Sequence, residues 1–177
     1  MANTVYTGAA QVTAADIRYV KWVGKTKGGH AVQIELPEAI CRSNPEWTFE
    51  EKNETTPAVE FEGLYNDENL EKDDRTEPWI LTLPEGMTAG NGEILLGVGK
   101  FYIGTSADDA EYVGLTRGGG SFIVEREYRD INADDDPGSV KDRISKDTGR
   151  PKLTLNALQW LTKVSKLYSC VQVKTTV

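Results

Sequence analysis

Few side chains in this 177-residue chain stand at spacings that could do chemistry. The single histidine, His30, sits beside a Gly-Gly turn. Ser121 follows three glycines but lacks the G-x-S-x-G elbow that exposes a nucleophile, so a triad finds no support. Glu60 with Glu62, and Glu125 with Glu127, are paired carboxylates of the kind glycosidases use. At i, i+2 on a strand, however, each pair lies on one face, and a solvated or channel-facing stripe is the commoner meaning. Asp130, Asn132 and Asp134 match the first three ligand positions of a calcium loop. Asp135 then stands where glycine must make the turn, and Lys141 where a bidentate Glu should close the site. Gly97-Val98-Gly99 opens like a dinucleotide fingerprint, but Tyr102 occupies the third glycine position and no helix follows, so a bend in a strand is the better reading. Cys41 and Cys170 form neither a C-x-x-C nor a zinc spacing and read as two reduced, buried thiols. No set of residues calls for a cofactor or a metal, and the chain is expected not to be an enzyme.

Composition narrows the class further. Hydrophobic residues make up 38% of the chain and charged residues 27%, a globular profile for one domain spanning 1–177. The net charge of -8 argues against a basic nucleic-acid reader and suits a surface that must stay soluble or one that must repel phosphate. The first residues, MANTVYTGAAQVTAAD, carry no basic stretch and no apolar stretch of a signal peptide, which predicts synthesis in the cytoplasm. No apolar run approaches the roughly 18 residues of a membrane span.

The elements that must position these residues are mostly strands. Residues 18–23 (RYVKWV) and 31–36 (AVQIEL) flank a GKTKGG turn and predict a hairpin. Residues 37–45 read as a connector with one helical turn. Residues 46–50 (EWTFE) and 57–65 (PAVEFEGLY) predict a second hairpin, with Trp47, Phe49, Val59 and Phe61 inward and Glu46, Glu50, Glu60 and Glu62 outward. Short strands follow at 79–83, 94–103 and 112–116, with a Pro/Gly linker at 84–92 joining segments 1–83 and 93–177. Residues 121–128 and 139–146 predict two strands separated by a polar arm of Arg129, Asp130, Asn132, Asp134, Asp135, Asp136, Pro137 and Gly138. The triple glycine before them reads as a bulge at a sheet rim in preference to an anion-binding nest. Leu158, Leu161, Val164 and Leu167 recur at helical spacing, with Asn156 and Gln159 placed for a capping box, and 171–174 predicts a closing strand. The expected fold is mainly β: a sandwich or barrel of about ten short strands, one packed helix and a long projecting loop.

Three stretches carry a family resemblance: ILLGVGKFYIG at 94–104, YVGLTRGGGSFIVEREYRDINADDDPGSVKDR at 112–143, and PKLTLNAL at 151–158. They resemble the tail tube, or major tail, proteins of long-tailed bacteriophages. The hairpins of the first half, followed by EPWIL at 77–81, resemble the rest of the same domain, so the likeness covers most of the chain. In the family the LLG segment comes near the start and the EPW segment near the end. Here the order is reversed, which points to a circular permutation. The resemblance implies a virion tail protein that forms stacked rings, hexameric in the family, around a channel through which DNA passes without specific binding. It also implies contacts with tape-measure and tail-end proteins. On this reading the arm grips neighbouring subunits, and Glu46, Glu50, Glu60, Glu62, Glu125 and Glu127 are candidates to line the lumen. The competing class is a monomeric β-sandwich module that binds carbohydrate or peptide in an aromatic groove. Trp22, Trp47, Trp79 and Trp160 each fall on the apolar side of their pattern, which favours core over groove.

Overall fold

The computed structural model describes residues 3–176 apart from 50, 52, 67, 69, 70, 72–74, 85–94 and 132–137. The chain is mainly β, with ten strands and one short α-helix among the described residues. The strands are β1 (Asn3–Gly8), β2 (Ile17–Thr26), β3 (Ala31–Cys41), β4 (Ala58–Gly63), β5 (Ile80–Thr82), β6 (Leu95–Gly104), β7 (Glu111–Tyr112), β8 (Thr116–Asp130), β9 (Ile144–Ala157) and β10 (Val171–Thr176). The helix, α1, is Val164–Leu167. Eight strands form an open antiparallel sheet in the order β7-β6-β2-β3-β4-β9-β8, with β5 paired to β3, and β1 pairs β10 in a separate ribbon.

Period-2 alternation builds this sheet. In β4, Val59 and Phe61 are fully buried while Glu60 and Glu62 turn outward. In β9, Leu153, Leu155 and Ala157 are buried against them. Phe101 and Ile103 of β6 and Val20 and Leu36 of β2 and β3 complete the core, and Trp160, Val164 and Leu167 seal one end. The sheet curls until its two halves face each other in a sandwich-like arrangement. A side chain added at Gly120 on β8 would lie 2.9 Å from the Phe101 ring on β6. A cavity of about 340 Å³ remains there, lined by Trp22, Ile34, Phe101, Phe122 and Leu153.

Several elements differ from the sequence expectation. β3 runs through Pro37 to Cys41, where a connector was expected. Its free side is bonded to β5 at 33–35 and to β4 at 39–41, and the β2 ladder shifts register at Arg18/Val20. Pro37 thus falls between ladders, where a missing N–H breaks nothing. Residues 46–49 are not a strand; Phe49 is 81% exposed, and Trp47, 40% exposed, only covers the rim of the core by stacking on Trp160. The alternation EWTFE has no place in the ladder, because β4 already has β3 and β9 on its two sides. The expected helix shrinks to a 3-10 turn (Leu161–Lys163) and α1. Asn156 belongs to β9 and donates to the Gly119 carbonyl instead of capping, and Leu161 is 70% exposed. Residues 1–15, unpatterned and rich in Thr and Ala, read from sequence as an extended arm or a connector; residues 3–8 of that stretch are β1. The linker at 84–92 lies, except for Pro84, outside the described residues.

Candidate assembly surface

β8 and β9 continue past the rest of the sheet. β4 pairs β9 only from Lys152 to Asn156, whereas β8 pairs β9 down to Asp130 and Ile144. Residues 125–130 and 144–150 are therefore a two-stranded ribbon extending from the body. The arm expected from sequence is in its first part strand: Arg129 and Asp130 lie on β8, and Lys146, placed at the end of a separate strand, lies inside β9. Pairing with β8 carries β9 from Ile144 through Pro151, with one register shift opposite Glu127/Tyr128, and Pro151 stands where the β4 ladder has ended. Arg129 Nε stands 3.4 Å from Asp147, Ser139 donates to Asp130 at 2.6 Å, and the Ile131 N–H donates to the Arg143 carbonyl at 2.8 Å, closing the base of the connection. Gly138 is exposed. Asn132, Asp134, Asp135, Asp136 and Pro137, and with them the incomplete calcium-loop pattern, lie outside the described residues. Tyr128, Ile131 and Ile144 expose 62%, 55% and 50% of their surface on this ribbon.

The ribbon is held to the body by Glu77, the first residue of the EPWIL stretch and the last of a charged run, NDENLEKDDRTE, that reads from sequence as a loop. Its carboxylate accepts two hydrogen bonds from Arg126, both at 2.8 Å, one from Lys146 at 2.8 Å and one from Trp79 Nε1 at 2.7 Å. The Glu77 side chain keeps only 10% of its exposure. The Arg126 hydrogen bonds, reinforced by Lys146 and Trp79 and opposed by burial, hold this carboxyl well below the usual carboxylate range. The triple glycine makes the bulge expected of it: Gly118 and Gly119 have φ of 81° and 79°, and the β8–β9 register slips between Thr116 and Gly120.

Of the six candidate lumen carboxylates, four come together. Glu60 and Glu62 on β4 and Glu125 and Glu127 on β8 share the outer face of the β4-β9-β8 half, by pairing register and alternation. Lys152 stands between them, with Nζ 2.9 Å from Glu125 and 3.8 Å from Glu60. Arg42 reaches Glu62 at 3.3 Å. Its hydrogen bond to Glu125, and the nearby carboxylates of Glu60 and Glu62, raise the Lys152 pKa. The stripe is thus partly neutralised from within by two cations that the sequence did not mark. Glu46 is elsewhere, exposed on the irregular stretch after β3, and Glu50 lies outside the described residues. Glu46 lines an open polar groove of about 590 Å³ with Ser43, Asn44 and Asn53. Trp47 stacks on Trp160 at 5.0 Å.

The outer face of the other half has a different character. Lys21 on β2 lies 5.9 Å from the Tyr19 ring and 5.8 Å from Tyr102, and Lys100 on β6 lies 5.6 Å from Tyr112 on β7. Tyr19 donates to Glu35 at 2.6 Å. Nothing in the sequence pattern singles out these lysines, because they are ordinary outward positions until the register brings the tyrosines beside them. No described helix is long and apolar enough to cross a membrane. Compared with protein-family models, with curated proteins and with solved structures, the chain matches none.

Proposed function

We propose that this chain is a structural subunit that self-assembles into stacked rings, as the phage tail tube resemblance implies, and that it has no catalytic role. The observation that carries the reading is the open sheet. One of its two outer strands, β8, is fifteen residues long and, among the described residues, pairs only β9. Such an edge offers a row of unpaired N–H and C=O groups, a liability in a monomer and a joint in an assembly. Edge-to-edge contacts between unlike surfaces close into a ring, and stacked rings give a tube. The ribbon, extending past the body, suits contact with the next subunit.

Within that reading, rings are hexameric and the tube is a virion tail made in the host cytoplasm. Tape-measure and tail-end proteins are its partners, and DNA slides through without being bound. The β4-β9-β8 outer face, with its carboxylates, is the proposed channel wall. The permuted order is the other part of the proposal: Asn3 pairs Thr176 and Gly8 pairs Val171, so β1 and β10 lie side by side, as a permutation of this domain requires. Light scattering of the purified protein over a concentration series tests the proposal. Mass rising to a ring and beyond supports it, and a mass fixed at one chain across concentration and salt contradicts it.

A further inference from the structure

We propose that the β1–β10 ribbon adds, through β1, to the free edge of β8 in a second copy of this chain, beside residues 120–124. The inference rests on the assembly reading and names the strand that the open edge receives. β1 and β10 share six residue pairs and form a sheet of their own, outside the eight-stranded sheet. A two-stranded ribbon is marginal in water until a third strand or a packed face supports it. Its own chain supports it only at one end. Val171 packs against the core, and the Ala9 N–H donates to the Cys170 carbonyl at 2.6 Å. Further along, Val5 and Tyr6 of β1 are 41% and 36% exposed. The outer side of β8 likewise receives no strand of its own chain among the described residues.

Charge selects which edges meet. Exposed edges are blunted by charged side chains, lysine above all. β10 carries Lys174, whereas β1, NTVYTG, carries no charge. On β8, Glu125, Arg126, Glu127, Arg129 and Asp130 guard the projecting part, and residues 120–124 before them, GSFIV, are uncharged. The regular β8–β9 ladder begins at Gly120, after the glycine bulge, so the outward N–H and C=O groups of this stretch stand at strand spacing. Ile123, 53% exposed within it, offers a cross-strand neighbour to Val5 or Tyr6 of an added strand. The contact is heterologous: each copy presents β1 to one neighbour and β8 to another, which a closed ring requires.

Hydrogen exchange of the full chain tests this, read at a dilution where it is single and at a concentration where it associates. On association the amides of β1 and of residues 120–124 should slow together by about tenfold or more, while those of the interior strand β4 keep their rates. Val5→Pro with Thr7→Pro removes two donors from β1, outside the main sheet. That variant should keep the melt of the body, associate about tenfold or more less tightly in sedimentation velocity, and show no slowing at residues 120–124. If the prolines disturb the melt, Val5→Lys with Tyr6→Lys, at exposed positions, replaces them and blunts the same edge by charge. Association undiminished in a folded variant, or wild-type assemblies whose residues 120–124 exchange as in the single chain, overturns the contact while leaving the assembly reading in place. A wild-type chain that never associates overturns both.

Discussion

Glu77 shows how much of this fold depends on one carboxylate. It gathers Arg126, Lys146 and Trp79 onto one side chain and ties the ribbon to the loop before β5. Glu77→Gln keeps the shape but removes the charge that two cations face, and should lower stability by about 2 kcal/mol in chemical denaturation. The pH response has a definite sign. A carboxyl depressed in the folded state contributes stability above its ordinary pKa and loses it as pH falls toward the lower folded value. The wild type should therefore lose stability below about pH 4, and Glu77→Gln should lose less over that range. Equal acid sensitivity in the two proteins would assign the effect to other carboxylates. Nothing in the sequence NDENLEKDDRTE marks Glu77 among its neighbours, because its role comes from strands far away in the chain.

Leu161 and Leu167 show the opposite error, a pattern that reads too much. Their spacing predicts one helix face, yet β9 runs to Ala157 and the helix is a single turn. Leu167 is fully buried and Leu161 is 70% exposed. Leu167→Ala should cost about 2–5 kcal/mol through lost transfer energy and a cavity, while Leu161→Ala should change stability by less than about 0.5 kcal/mol. Thermal melts of the two variants check this, and a large effect at Leu161 would restore the longer helix.

Among the elements, strands with a partner on each side were legible and unpartnered patterns were not. Val59 and Phe61 alternate and are buried, since β4 lies between β3 and β9. Trp47 and Phe49 alternate as cleanly but form no strand, since both sides of β4 are already taken by β3 and β9; Phe49 stays exposed and Trp47 only stacks on Trp160. The two halves of the ribbon were read as strands, but Arg129 and Asp130 were given to the loop, because polar residues on an exposed two-stranded ribbon carry no hydrophobic alternation. Removing residues 132–138 should leave the melt cooperative, since the ladder from Asp130 to Ile144 and the core stay intact. It should abolish stacking in electron micrographs. A lost cooperative transition would place the connection inside the folding unit.

At the scale of the whole molecule, the outer faces of the two sheet halves carry different groups, Glu60, Glu62, Glu125 and Glu127 with Lys152 and Arg42 on one and Lys21, Lys100 and Glu35 on the other. If the carboxylate face lines the channel, Glu60→Lys with Glu125→Lys should leave assembly possible but make tubes retain DNA against nuclease, with retention falling steeply as salt rises. Tubes of that variant that ignore DNA at every salt would move the face to the outer wall. The central claim, that the open β8 edge serves assembly, is tested most directly by negative-stain microscopy of the concentrated protein. The account predicts rings with a central channel, and stacks of them with a regular repeat. A field of single particles the size of one chain, at every concentration and salt, would contradict it.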